Sequence, residues 1–247
     1  MSSNNSLNNK INSTKKKKEP KVIIKASNLI KEYEIGDFIV RAVDNINLEI
    51  NEGEFIVIKG PSGAGKTTLL NLLGALDLPT EGEVFSYGVK ISDMDHESLA
   101  IFRLMNSGFI FQNYYLISTL TAEENVMFPI SLLGEKLETQ RKISVNLLKK
   151  VNLVDRREHL PFQLSSGEQQ RVAIARAMAN DPPVILADEP TANLDKNTST
   201  FVRTFFKELK ENGKTIIIAT HDDHLIELAD RIFNFQDGKI LNVELIK

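Results

Sequence analysis

Apolar positions along the chain fall into three rhythms. From Val22 to about Ile50 they alternate with polar residues: KVIIKASNLIKEY is followed by FIVRAVDNINLEINEGEFIVIKG. Val22, Ile24, Phe38, Val40, Val43, Ile46, Leu48 and Ile50 read as the inward positions of half-buried strands in an antiparallel sheet. Phe55-Ile56-Val57-Ile58 is continuous and apolar, as expected of a strand covered on both faces. Val184-Ile185-Leu186-Ala187 and the run from Thr215 to Thr220 repeat that signature. Helical patterns lie between them, at TTLLNLLGAL, 168–180 and 198–211. Buried strands alternating with helices predict an α/β fold with a mainly parallel sheet and helices on both faces. Residues 94–160 read as mainly helical, with LETQRKISVNLLKKVNL the clearest amphipathic piece, and predict a separate helical lobe. No internal repeat is visible, so one such unit is expected.

Composition narrows the class. The 247 residues, 42% hydrophobic and 26% charged, suit a soluble globular domain. No window reaches the ~18–20 consecutive apolar residues of a membrane span, and no signal peptide is expected in the polar N-terminus. Cysteine is absent, which excludes disulfide and thiolate chemistry and fits a cytosolic setting. Six of the 30 basic residues and one acid fall in residues 1–21, leaving 24 basic against 32 acidic in the body. An acidic body is no general nucleic-acid binder, so no specific nucleic acid is expected as a partner. Residues 1–21 read as a disordered basic tail. Its Lys15 to Lys18 are expected to be a solvated run, with contact to anionic lipid or RNA the alternative.

The candidate chemistry concentrates at three strand ends. Gly60-Pro61-Ser62-Gly63-Ala64-Gly65-Lys66-Thr67 fits G-x-x-x-x-G-K-[ST] between a strand and a helix. The glycines let backbone N–H groups turn toward phosphate oxygens, and the helix start adds its dipole. Lys66 supplies a charge for the outer phosphates, and the hydroxyl of Thr67 suits Mg²⁺. A nucleoside triphosphate is thus the expected ligand. Asp188 and Glu189 close the second buried strand, where Asp188 suits Mg²⁺ and Glu189 an attacking water. His221 closes the third, at the same sheet edge. A metal site built from His221, Asp222, Asp223 and His224 has poor ligand spacing, and His96 and His159 read as surface or loop residues. Ser165-Ser166-Gly167-Glu168 forms a capping box. Val172, Ala175 and Ala179 then give the helix an apolar stripe, and its N-terminus is a second anion site.

Taken in order, the phosphate loop, LSSGEQQ, the Asp-Glu strand and the terminal histidine resemble the nucleotide-binding subunit of an ATP-binding cassette (ABC) transporter, over about residues 22–247. The resemblance implies a P-loop NTPase core with an N-terminal antiparallel β subdomain and a helical subdomain inserted at about 94–180. It implies an ATPase using ATP and Mg²⁺ that closes head to tail with a second copy of itself. The nucleotide would lie on Tyr33, the loop from Gly60 to Thr67 and Thr68, with Ser165, Gly167 and Glu168 supplied by the partner copy. Simple strand packing is the alternative for Tyr33. Gln112, in GFIFQNYYL, corresponds to the lid glutamine that senses Mg²⁺ and water, which makes Thr67, Gln112 and Asp188 the metal set. Glu189, His221 and Gln112 are the catalytic set, and Asn193-Leu194-Asp195 matches the loop that crosses between subunits. The family usually has Gly where Ser166 stands.

GALDLPTEGEV, FQNYYLISTLTAEENVMFPI and LADEPTANLD are similar to the branch of macrolide exporters, lipoprotein-release machines and antimicrobial-peptide transporters. That likeness implies an integral membrane permease as partner and a peripheral position on the inner face of the cell membrane. Tyr114, Tyr115, Leu116 and Ile117 would dock the permease or else pack in the core, and Thr121 to Glu124 read as a capping box. Export or extraction of a lipoprotein, peptide or drug is the implied activity. A regulatory ATPase signalling through a membrane partner, or a soluble non-transport member, stays open.

Overall fold

The computed structural model describes residues 21–246, so the expected tail, apart from Lys21, lies outside the described residues. The chain opens with a long hairpin, β1 (Val22–Ile35) and β2 (Phe38–Asn51). The buried strand β3 (Phe55–Lys59) leads through the glycine-rich turn into α1 (Lys66–Leu73). Next come β4 (Glu81–Ser86), β5 (Val89–Lys90), α2 (His96–Asn106) and β6 (Ser107–Ile110). Helices α3 (Ala122–Leu132), α4 (Leu137–Lys150) and α5 (Ser166–Ala177) precede β7 (Val184–Asp188). The chain finishes with α6 (Lys196–Glu211), β8 (Thr215–Ala219), α7 (Asp223–Ile226), β9 (Arg231–Gln236) and β10 (Lys239–Leu245).

Two sheets result, one antiparallel in the order β2-β1-β4-β5 and one in the order β10-β9-β3-β8-β7-β6. In the second, all pairings except β10 with β9 are parallel. The alternation of side chains along a strand divides its core in two. Ile56, Ile58, Leu186 and Ile217 face a cluster shared with α1 and the antiparallel sheet. Phe55, Val57, Ile185, Ile216 and Ile218 face the other side, where α3 to α6 cover them. Phe55 meets Phe206 of α6 edge-on, with ring centroids 6.5 Å apart. A sheet covered on both faces is why these strands read as unbroken apolar runs.

The structure departs from the sequence pattern in two places. Ser107–Ile110, expected to belong to the helical region, is the edge strand of the six-stranded sheet, paired in parallel with β7. Four residues including a glycine carry too little periodicity to stand out between helical stretches. Of the expected inward positions in the hairpin, Ile24, Val43, Ile46, Leu48 and Ile50 are buried, whereas Val22, Phe38 and Val40 are exposed, Phe38 at 77%. The hairpin extends beyond the body it packs on, so alternation persists where no core exists to receive it.

Candidate nucleotide site

Strands β3, β7 and β8 run in parallel and release their C-terminal residues at one edge. A cleft of about 750 Å³ opens there. It gathers Tyr33, Ser62, Gly63, Gly65, Lys66, Thr67, Thr68, Gln112, Asp188, Glu189 and His221, which come from five separate stretches of sequence. Asp222, weighed in the sequence only as a metal ligand of poor spacing, lines it too, as do Ala42, Thr191 and Ala192, which were not singled out. Thr191 and Ala192 had adjacency to the Asp188-Glu189 pair as their signal, and Ala42 had none. Residues Ser165, Gly167 and Glu168 do not line this cleft.

The phosphate loop is shaped for an anion. Gly65 is the N-cap of α1 with φ of 100°, and the helix start carries no side-chain cap. A Cβ on Gly65 would lie 2.0 Å from the carbonyl oxygen of Ala42, so both backbone angle and space demand glycine. The uncapped N–H groups and the dipole of α1 point their positive end into the cleft. Lys66 is buried, and its Nζ donates to the carbonyls of Gly60 (2.7 Å) and Pro61 (2.8 Å). That spends two of its three protons and leaves the ammonium beside the loop for a phosphate oxygen.

Thr67 Oγ1 donates to Asp188 Oδ2 at 2.6 Å, joining the start of α1 to the end of β7. Hydroxyl and carboxylate oxygens are hard donors that suit Mg²⁺, an ion that keeps waters and substrate phosphates as its other ligands. Among the described residues no group of three or more His, Cys, Asp or Glu forms a metal cluster. Gln112 is exposed at the rim, two residues beyond β6.

Glu189 follows β7 in a left-handed backbone conformation, φ 43°, rare for a residue with a side chain and of a kind found at functional sites. Its N–H donates to the carbonyl of Ala219 at 2.8 Å, tying it to the end of β8. Two residues beyond that strand, His221 Nε2 stands 3.3 Å from Glu189 Oε1. Tyr33 reaches the cleft from the hairpin and is 36% exposed, so it is no core residue.

The helix that begins at LSSGEQQ is capped as expected. Glu168 N–H donates to Ser165 Oγ (3.3 Å), and Ser165 N–H donates to Glu168 Oε2 (2.8 Å). That backbone bond, reinforced by Arg156 at 3.3 Å, holds the carboxyl of Glu168 below its ordinary range against the opposing effect of burial. Gly167 is buried because α6 crosses it: a Cβ there would lie 2.4 Å from Thr198 Oγ1. Thr198 in turn donates to Asp195 Oδ2 at 2.6 Å, and Asp195 caps α6 through the N–H groups of Asn197 and Thr198. Ser165 and Ser166 are exposed. Gln170, buried one turn further along, donates its amide to the carbonyl of Pro190 at 2.8 Å, next to Glu189.

The family profile described as ABC transporter matches residues 43–192. The chain belongs to the ABC transporter family.

An uncharacterised ABC transporter ATP-binding protein of Methanocaldococcus jannaschii, MJ1508, is 50% identical over 221 residues, covering 90% of this chain and 99% of that one. The macrolide export ATP-binding/permease protein MacB of Hyphomonas neptunium is 44% identical over 220 residues, which span 89% of this chain and 34% of MacB. Among solved structures, the ATP-binding cassette MJ0796, a dimer in a post-hydrolysis state bound to ADP and Pi, superposes with a TM-score of 0.87 at 43% identity. It covers 91% of this chain and 99% of its own. This ABC protein is therefore an ATP-binding subunit and an ATPase.

A second cleft of the ABC subunit lies on the face shared by β6, α3 and α5. It measures about 380 Å³ and is lined mainly by apolar side chains, among them Leu104, Phe111, Tyr115, Ile117, Phe128 and Leu132. Tyr115 is 63% exposed whereas Leu116 packs partly on the core, so this loop divides its side chains between surface and core. Arg176, also in the lining, donates to the carbonyls of Tyr114 and Tyr115, the former at 2.7 Å. Burial pushes its guanidinium down to about 10. Tyr114 and Tyr115 both adopt positive φ, 59° and 45°.

Proposed function

We propose that this subunit powers a membrane permease that exports or extracts a lipoprotein, peptide or drug, through ATP-driven head-to-tail pairing of two copies. The observation that carries the reading is the split site. Tyr33, the phosphate loop, Asp188, Glu189 and His221 share one cleft, while Ser165 and Gly167 sit outside it. A γ-phosphate bound at Lys66 then meets the start of α5 only when a second copy supplies it. Tyr33 stacks on adenine, the start of α1 and Lys66 hold the phosphates, and Glu189 orients a water in line with the γ-phosphorus. The water gives a proton to the Glu189 carboxylate as its oxygen bonds to phosphorus and the bond to the ADP oxygen breaks, and His221 donates a hydrogen bond to the charge that develops. Thr67, Asp188 and Gln112 would hold Mg²⁺, whose chemistry is to neutralise phosphate charge.

MacB is a macrolide export ATP-binding/permease protein, and the apolar cleft beside Tyr115 suits a helix of such a permease. No described helix is long and apolar enough to cross a membrane. As the ATP-consuming partner of a permease, the subunit would sit in the cytoplasm, against the inner membrane face. Mixing two inactive variants tests the split site. Lys66→Ala cannot hold ATP and Ser165→Arg cannot complete a neighbour's site, yet a mixed head-to-tail pair contains one intact site. Recovery of ATPase activity on mixing is expected. No recovery, with both variants folded, rejects the composite site. Identification of a permease co-purified from membranes would separate export from regulatory signalling by what that partner does.

A further inference from the structure

The sequence GALDLPTEGEV takes no part in the chemistry above, yet its aspartate reaches the base end of the cleft. Tyr33 Oη donates to Asp77 Oδ2 at 2.9 Å. The other carboxylate oxygen, Oδ1, accepts from Lys31 Nζ at 2.7 Å and from the N–H of Leu78 at 2.8 Å. Lys31 Nζ also donates to the carbonyl of Leu78 at 2.8 Å, and it stands over the Tyr33 ring, 5.1 Å from the centroid. One aspartate thereby fixes both the hydroxyl of the ring and the cation that covers one of its faces.

Asp77 is itself held firmly. It leaves α1 through a turn in which the N–H groups of Leu76 and Asp77 both donate to the carbonyl of Asn71. Arg103 donates to the carbonyl of Ala75 at 2.8 Å, and Thr80 N–H donates to the carbonyl of Ile30 on β1. The segment is pinned between the helix that receives the phosphates and the strand that carries Tyr33. The bonds from Lys31, Tyr33 and Leu78 keep the carboxyl of Asp77 low despite the opposing desolvation, so it is an anion at neutral pH.

We propose that Asp77 is a positioning residue for nucleotide binding, fixing Tyr33 as the platform for the base with Lys31 closing its far face. A ring immobilised before the ligand arrives loses less freedom on stacking, and a cation on one face strengthens the hold on a base at the other. The inference rests on the assignment of Tyr33 to adenine.

Tripolyphosphate, which lacks a base, separates positioning from folding. Calorimetric titration of the full chain is expected to show Asp77→Ala binding ATP about three- to tenfold more weakly, the scale of one hydrogen bond, with tripolyphosphate affinity unchanged. Asp77→Asn should lie between Asp77→Ala and the parent chain. In a Tyr33→Ala background, Asp77→Ala should add nothing. Parallel losses of ATP and tripolyphosphate would assign Asp77 to folding and overturn the proposal. So would unchanged ATP affinity in Asp77→Ala when Tyr33→Ala does lose it. If Tyr33→Ala itself binds ATP normally, the base platform falls, and this proposal with it.

Discussion

Glu189 and His221 hold one another at the mouth of the cleft: Nε2 of the histidine lies 3.3 Å from Oε1, and its backbone N–H lies 3.4 Å from Oε2. The carboxylate is aimed by its neighbour as well as by its own left-handed backbone.

Glu189→Gln keeps the size and much of the hydrogen bonding but removes the base. Hydrolysis should fall about 10²- to 10⁴-fold, the range of a lost general base, while ATP binding persists. Sedimentation of this variant with ATP should show a stable dimer, and a variant that turns over normally would contradict the assigned role.

Glu168 places a negative charge at the helix start that we assign to a neighbour's γ-phosphate. Gln at the same position still completes a capping box. Glu168→Gln should therefore tighten the ATP-bound dimer by about threefold or more, as expected for removal of a repulsion worth a few tenths of a kcal/mol upward. The comparison is cleanest with both chains also carrying Glu189→Gln, read as dimer dissociation.

Gly167→Ala drives a methyl group against Thr198. The cost should be about 1–3 kcal/mol of stability, as for other overpacked sites, measured by urea unfolding. Thr198→Ala removes the two nearest side-chain atoms and should recover part of the loss in the double variant. Additive losses would place the strain elsewhere.

Arg176→Ala removes the donors to two carbonyls in the Tyr114–Tyr115 turn. A loss of about 1–3 kcal/mol is expected, the cost of leaving such groups unpaired, with faster amide exchange across residues 113–117. Arg176→Lys should restore only part, because a single ammonium lacks the fork that spans both oxygens.

Asp222 is desolvated, but bonds from Arg203 (2.8 Å) and Thr191 outweigh this and hold its carboxyl below the ordinary range. The folded state therefore binds its proton less readily than the unfolded chain. Its contribution is complete above the ordinary carboxylate pKa, near pH 4, and is lost as pH falls through the lower folded value. Asp222→Asn should reduce stability at pH 7 and narrow the difference between pH 7 and pH 3. An unchanged difference would mean that other carboxylates govern the acid limb.

Features written along the chain were legible; those made across it were not. Phe55–Ile58, the phosphate loop and α1 follow one another, so one local reading yields strand, turn and helix together. Both capping boxes, at Thr121 and Ser165, are four-residue patterns and appear where the sequence puts them. The tether between Tyr33 and Asp77 spans 44 positions, and that between Arg176 and Tyr114 spans 62. Neither side chain advertises its partner. The left-handed backbone at Glu189 is likewise imposed by the junction of β7 with β8, not by a glycine or asparagine that would announce it. The burial of Gly167 against α6 also changes the meaning of a motif residue: the missing side chain serves the chain's own packing.

The bond from Gln170 to the carbonyl of Pro190 gives the split site a further property. It rivets the helix offered to a neighbour's nucleotide to the loop that aims the chain's own Glu189. In a closed pair, each copy would act as a rocker arm with one end in either reaction chamber. A shift in one end as phosphate leaves would be transmitted through a buried amide to the other, so the two ATP molecules would not be spent as independent events.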